Sequence, residues 1–400
     1  MTAPRSGPRP LGLHLATSAA VWTSSLAALE PARNGLLPWS APQRSAADAI
    51  RTAIAAADPE ALAGAVSREA TGRLAAFLAG IRAYHAHPYR RTPSELAVLW
   101  QEGATRVLDY GGPGRPVLFA PSLINRSYIL DLRPGASLME HLRSQGLRPL
   151  LIDWGDPGAA ERDFDLEAYI TRRLGGALEA AANLAGGPVP LAGYCMGGLL
   201  ALAGALLHPG RVSGLAVLAT PWDFHADQKG QAAFLAIGAS AASAVRLGSP
   251  PVPIDLLQAM FAALQPNLVQ TKFRRFAAMD PDAEATHAFV ALEDWLNDGV
   301  ALAAPTARDC FMGWYGDNLP GRGLWTVAGR TMRPQDLTVP SFAAVPTQDR
   351  IVPPASAQAL AGALPGATVL EPRAGHIGMV VGSRSREALW EPLATWLIGT

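Results

Sequence analysis

The chain has 400 residues, enough to bury a full core as one large domain or a domain with additions. Lys plus Arg and Asp plus Glu each number 33, so no net field draws it to nucleic acid or to an acidic membrane surface. Its two cysteines, Cys195 and Cys310, exclude a disulfide framework, lack the spacing of metal ligands and fit a reducing, cytoplasmic setting. Nor does the sequence hold the roughly 18 consecutive apolar residues from which a transmembrane helix is read.

Residues 1–45 are rich in Pro, Ser and Ala and are expected to form an extension with one short helix. There Leu11, Leu15, Trp22, Leu26 and Leu29 recur at helical spacing, a stripe suited to the protein's own core, a partner or a hydrophobic surface. Residues 46–98 are read as a helical segment, broken at Pro59 and ended before His87-Pro88. After Asp109 the pattern changes to short apolar runs alternating with helices: strands at 116–120, 148–154, 188–192 and 212–218, and helices at 137–145, 169–184 and 196–207. Continuous apolar strands separated by helices predict a mostly parallel sheet covered on both faces, the doubly wound α/β class. Residues 222–336 break the alternation, carry Trp, Phe, Leu and Ala at mostly helical spacing, and are expected to form a helical cap insertion. The alternation resumes with a strand at 341–345, a helix at 355–363, a strand at 367–370 and a closing helix at 387–397, so the core is assigned to 99–221 with 337–400.

The most informative residues are Gly193-Tyr194-Cys195-Met196-Gly197-Gly198, set between an apolar strand and an Ala/Leu helix. They match the strand-to-helix turn written G-x-S-x-G in its serine form, the nucleophile elbow of the α/β-hydrolase fold, with Cys in the serine position. Flanking glycines suit the crowding of such a turn, and the start of the following helix complements a thiolate. Alone, the motif is as compatible with a buried structural cysteine. The order of the later residues decides for catalysis: Asp349 follows the strand at 341–345, His376 follows the next strand, and nucleophile, acid and histidine occur in that order in this fold. Asp349 could otherwise be a helix cap before Pro353, and His376 a turn residue beside Gly375. His208 is read at a helix C-terminus, His85 and His87 as surface turn residues, and His225 as bordering the pocket without being needed. Two oxyanion donors are expected, the Met196 N–H after the nucleophile and, in the loop Pro121-Ser122-Leu123-Ile124-Asn125, the Ile124 N–H.

Together these segments resemble the polyhydroxyalkanoate (poly-3-hydroxybutyrate) synthases. The matching pieces are Pro121-Ser122-Leu123-Ile124-Asn125-Arg126 with Tyr128-Ile129-Leu130-Asp131-Leu132-Arg133-Pro134, the Gly-x-Cys-x-Gly-Gly elbow, Asp349 before Ile351-Val352-Pro353, Gly375-His376-Ile377, and Asp317-Asn318-Leu319-Pro320. The resemblance implies an acyltransferase on the α/β-hydrolase fold, with Cys195 as acyl acceptor, His376 as base and Asp349 as its partner. It also implies a hydroxyacyl-CoA substrate, no cofactor beyond that thioester, and association with a polyester granule, a second synthase subunit or a second copy of the chain. Arg350 departs from the family, which usually has His after the catalytic Asp. The same triad would serve a thioesterase or an intracellular polyester depolymerase, and a weakly catalytic granule-binding or partner-binding subunit is the reading from another class.

Overall fold

The computed structural model describes residues 5–226 and 249–400. Residues 227–248, inside the expected cap, lie outside the described part. The chain divides into two compact units, Met1–Tyr89 with Gln265–Asn297, and Arg90–Leu264 with Asp298–Thr400.

The first unit is helical: α1 (Leu11–Ala27), α2 (Arg44–Ala56) and α3 (Pro59–Ala86) are joined by α4 (Leu268–Phe276) and α5 (Glu284–Asn297). Asp58 caps α3 by accepting the Ala61 N–H at 2.8 Å, and Pro59 occupies the first turn, where its missing N–H costs nothing. The core is Phe77, Ile81, Tyr84, Phe273, Phe276 and Val290, with Phe77 edge-on to Phe273 at 6.3 Å. Leu11 and Leu15 pack against it, whereas Leu26, farther along the stripe, is exposed. His87 is not the surface residue expected from its place beside Pro88. It is buried, near Phe276 and His287, with its Nε2 3.1 Å from the Pro281 carbonyl.

The second unit is built on an eight-stranded sheet. Its strands are β1 (Ala97–Glu102), β2 (Thr105–Asp109), β3 (Pro116–Ala120), β4 (Arg148–Asp153), β5 (Val189–Tyr194), β6 (Val212–Leu218), β7 (Ser341–Ala344) and β8 (Thr368–Leu370). They lie in the order β1-β2-β4-β3-β5-β6-β7-β8. From β4 to β8 all neighbours are parallel; β2 runs antiparallel to both β4 and β1. Every residue of β3 and β5 is buried, as strands covered on both faces require. The helix after β5, α6 (Met196–Leu207), is buried along all but its last residue, which is why it reads as Ala, Leu and Gly with no polar face.

The β1-β2 hairpin is the principal element that the sequence reading misses. It turns at Gly103, where φ is +58°, and its half-exposed residues lack the continuous apolar run that marks the central strands. Within the expected insertion, residues 265–297 cluster with the N-terminal helices. Residues of the second unit there form Ile254–Leu264 and Ala304–Arg308 as helices, a π-helical stretch Asp309–Gly316 and a short hairpin of Thr326–Val327 with Arg330–Thr331. Among the described residues no helix is long and apolar enough to cross a membrane.

Candidate active site

Cys195 follows β5 and caps α6 with φ +57° and ψ −128°, a conformation that costs a non-glycine residue about 1–3 kcal/mol and must be imposed by its surroundings. The Cys195 N–H donates to the Leu218 carbonyl at 2.8 Å, and its own carbonyl accepts the Gly198 N–H at 3.0 Å. The motif's glycines provide space. A Cβ on Gly193 would run into the Gly198 Cα, one on Gly197 into the carbonyls of Ala120 and Pro121, and one on Gly198 into the Thr220 side chain. The elbow is thus clamped between the ends of β3 and β6, which fixes where the sulfur stands.

Asp349 and His376 are delivered by two loops that extend the pairing of β7 with β8. Val345 donates to Leu370 at 2.8 Å, Thr347 to Pro372 at 2.9 Å and Gln348 to Ala374 at 3.0 Å, all through backbone N–H groups. One Asp349 oxygen, Oδ1, accepts the N–H groups of Ile351 (2.8 Å) and Val352 (2.9 Å); the other, Oδ2, lies 2.6 Å from His376 Nδ1. Both residues are buried, and Cys195 lies within electrostatic reach of the imidazole, whose Nε2 is the ring nitrogen not engaged by Asp349. Burial by itself would lower the His376 pKa. Negative charge at Cys195 first and at Asp349 second, with the hydrogen bond to Asp349, outweighs that and pushes it up to about 10. Tyr194 steadies the imidazole, its hydroxyl donating to the His376 carbonyl at 3.2 Å and its ring 5.1 Å from the imidazole. That contact had no sequence signal beyond the variable place Tyr194 holds in the motif.

Met196 is the first residue of α6, so its N–H is one of the four that a helix leaves without an intrahelical acceptor. The Ile124 N–H donates to Ser122 Oγ at 3.2 Å, so a carbonyl oxygen reaching Ile124 would compete with that hydroxyl. Asn318 has φ +51° and pins the segment after β6: its Oδ1 accepts the Phe224 N–H at 2.9 Å and its Nδ2 donates to Asp223 at 2.8 Å. This holds Phe224 against Trp314 and Tyr315, and Tyr315 lies within electrostatic reach of Cys195. His225 is tied to the Tyr315 carbonyl at 2.9 Å. At His208, burial first and Arg211 second lower the pKa, so the ring is less readily charged than the sequence position suggested. Arg350 is exposed.

Residues 115–383 match the α/β hydrolase fold family. Among solved structures, the chain is similar to a monoacylglycerol lipase of Paleococcus ferrophilus (TM-score 0.50, 18% identity, 74% of this chain and 98% of that one) and to Rv0554 of Mycobacterium tuberculosis (TM-score 0.50, 17%, 74% and 94%), a likeness of fold. Sequence relatives are more specific. The chain is 29% identical to the poly(3-hydroxyalkanoate) polymerase subunit PhaC of Haloferax mediterranei over 76% of its own length and 64% of that protein. With the subunit of the same name from Synechocystis it shares 31% identity over 70% of its length and 77% of the relative. It belongs to the poly(3-hydroxyalkanoate) polymerase family. The PhaC of Allochromatium vinosum, 28% identical, is spanned over 80% of its length.

Proposed function

We propose that the protein is an acyltransferase of the polyhydroxyalkanoate polymerase type, which moves hydroxyacyl groups from CoA thioesters through a Cys195 acyl-enzyme onto the hydroxyl end of a growing polyester. The observation that carries this reading is the buried His376, bonded at Nδ1 to Asp349 and within electrostatic reach of a cysteine held in an elbow. Membership of the polymerase family supports the choice of substrate.

In the first half-reaction His376 takes the Cys195 proton and the sulfur attacks the thioester carbonyl. The oxyanion so formed is held by the Met196 N–H and by a second backbone donor of the loop that holds Ile124. The C–S bond to CoA breaks, His376 returns the proton to the departing thiolate, and the acyl group rests on Cys195. One thioester has replaced another, so the acyl group keeps its activation. In the second half-reaction a hydroxyl gives its proton to His376, its oxygen attacks the acyl carbon, a new ester forms and the Cys195 sulfur leaves with the proton restored. Asp349 holds the tautomer and stabilises the imidazolium in both halves. Tyr315, within electrostatic reach of Cys195, belongs to an aromatic group with Phe224 and Trp314, and these rings disfavour water as the second nucleophile. The named relatives are polymerase subunits, which supports action with a second polypeptide.

Mixing the protein with 3-hydroxybutyryl-CoA and quenching in acid is expected to leave one hydroxybutyryl group on the peptide that carries Cys195, seen by mass spectrometry. An acyl group found on Cys310 or on a serine instead would refute the assignment of the nucleophile.

A further inference from the structure

A cavity of about 330 Å³ lies over the β1-β2-β4 end of the sheet, away from the elbow. Its floor is apolar: Val98, Leu108 and Leu151 are successive register partners across β1, β2 and β4 and stand in a row. Val98 is 46% exposed, an apolar side chain left open to solvent in a cavity of the size that binds small ligands. The walls are charged but balanced. Arg91 pairs with Asp131 at 3.2 Å, Arg106 with Asp153 at 2.9 Å and Arg126 with Asp298 at 3.4 Å, three cations against three carboxylates. A ligand carrying several phosphates would meet guanidinium groups already paired and three carboxylates beside them. A neutral chain meets no such penalty, and its ester carbonyls need only donors. Arg106 offers these: it bonds Asp153 through Nε and Nη2, and a guanidinium has five N–H groups.

The cavity is joined to the catalytic region by the chain itself. The loop that holds Ile124 continues directly into Arg126, Ser127 and Tyr128, which form one wall. In the sheet, β5 is followed outward by β3, β4, β2 and β1, so the floor lies roughly 10–20 Å from the strand that leads into Cys195, at the usual inter-strand spacing.

We infer that this cavity seats the growing polyester, binding a neutral, flexible chain with apolar side groups on Val98, Leu108 and Leu151 and with ester carbonyls toward Arg106. The inference rests on the polymerase reading above and gives the product chain a place distinct from the thiol that extends it. Holding the chain there keeps its hydroxyl end near Cys195 between additions, so the same chain is extended repeatedly.

The test uses the full chain, a methyl-esterified oligomer of 3-hydroxybutyrate and, separately, CoA, each followed by calorimetry. Val98→Glu places a charge on the apolar floor at an exposed position, and Leu108→Trp fills the cavity without a charge. Both are expected to weaken oligomer binding at least tenfold, to leave CoA binding within twofold and to shorten the polymer severalfold, while CoA is still released in the first turnover. Oligomer binding equal in all three proteins overturns the inference, as does a loss confined to CoA, which would assign the cavity to the nucleotide. A wild-type protein that releases no CoA in the first turnover, either alone or with a partner subunit, would refute the polymerase reading itself and this inference with it.

Discussion

Asp349→Asn is expected to lower kcat by about 10³- to 10⁴-fold while the protein stays folded. The expectation follows from which atoms surround the carboxylate. Ile351 and Val352 both direct N–H groups at one oxygen of Asp349, and His376 Nδ1 lies 2.6 Å from the other. An asparagine must keep its carbonyl oxygen toward the two N–H donors, so its NH₂ turns to His376. Nδ1 then becomes the acceptor, the imidazole proton moves to Nε2, and the nitrogen that should take the Cys195 proton already carries one. The loss appears in kcat, because the mutation alters proton transfer and leaves the surface of the pocket in place. A drop of less than tenfold, with circular dichroism unchanged, would show that His376 works without Asp349.

Gly197→Ala is expected to damage both folding and catalysis. The added methyl would meet the carbonyl oxygens of Ala120 and Pro121, backbone atoms that cannot rotate away. Either α6 or the end of β3 must move, at a cost of about 1–3 kcal/mol, or more, for overpacking a core. The same shift displaces the elbow relative to the loop that holds Ile124, and misplacement by about 1 Å can cost on the order of 10²-fold in rate. Gly198→Ala provides the comparison, since the atoms nearest its methyl belong to the Thr220 side chain rather than to backbone. Adding Thr220→Ala removes the two nearest atoms but keeps the Thr220 Cβ, so it should recover part of the stability lost in Gly198→Ala and none of that lost in Gly197→Ala, as read from urea midpoints. Wild-type stability and kcat in Gly197→Ala would contradict the clamped elbow.

Much of this site is legible in the chain because it depends on local rules. The elbow needs small residues around a nucleophile between a buried strand and a helix, and Gly193-Tyr194-Cys195-Met196-Gly197-Gly198 states that directly. Asp349 and His376 are picked out because each follows a late strand in the order this fold uses, and the structure brings the two within 2.6 Å of each other. What stayed hidden depends on partners distant in sequence. β1 and β2 are half exposed and carry no continuous apolar run. His87 looks like a turn residue beside Pro88 until Phe276 and His287 bury it. The bond from the Ile124 N–H to Ser122 is a matter of one hydroxyl rotor, invisible in a motif that names only residue types. The balanced pairs around the β1-β2-β4 cavity join Arg91, Arg106 and Arg126 to aspartates that are 40, 47 and 172 positions away, beyond the reach of any local pattern.

The most direct test of the acyltransferase account is CoA release from 3-hydroxybutyryl-CoA with analysis of the acyl product, for the wild type and Cys195→Ala, each alone and with a partner subunit. The account predicts polymer from the wild type and neither CoA release nor polymer from Cys195→Ala. CoA release that survives the substitution, or free hydroxy acid in place of polymer from the wild type, would contradict it.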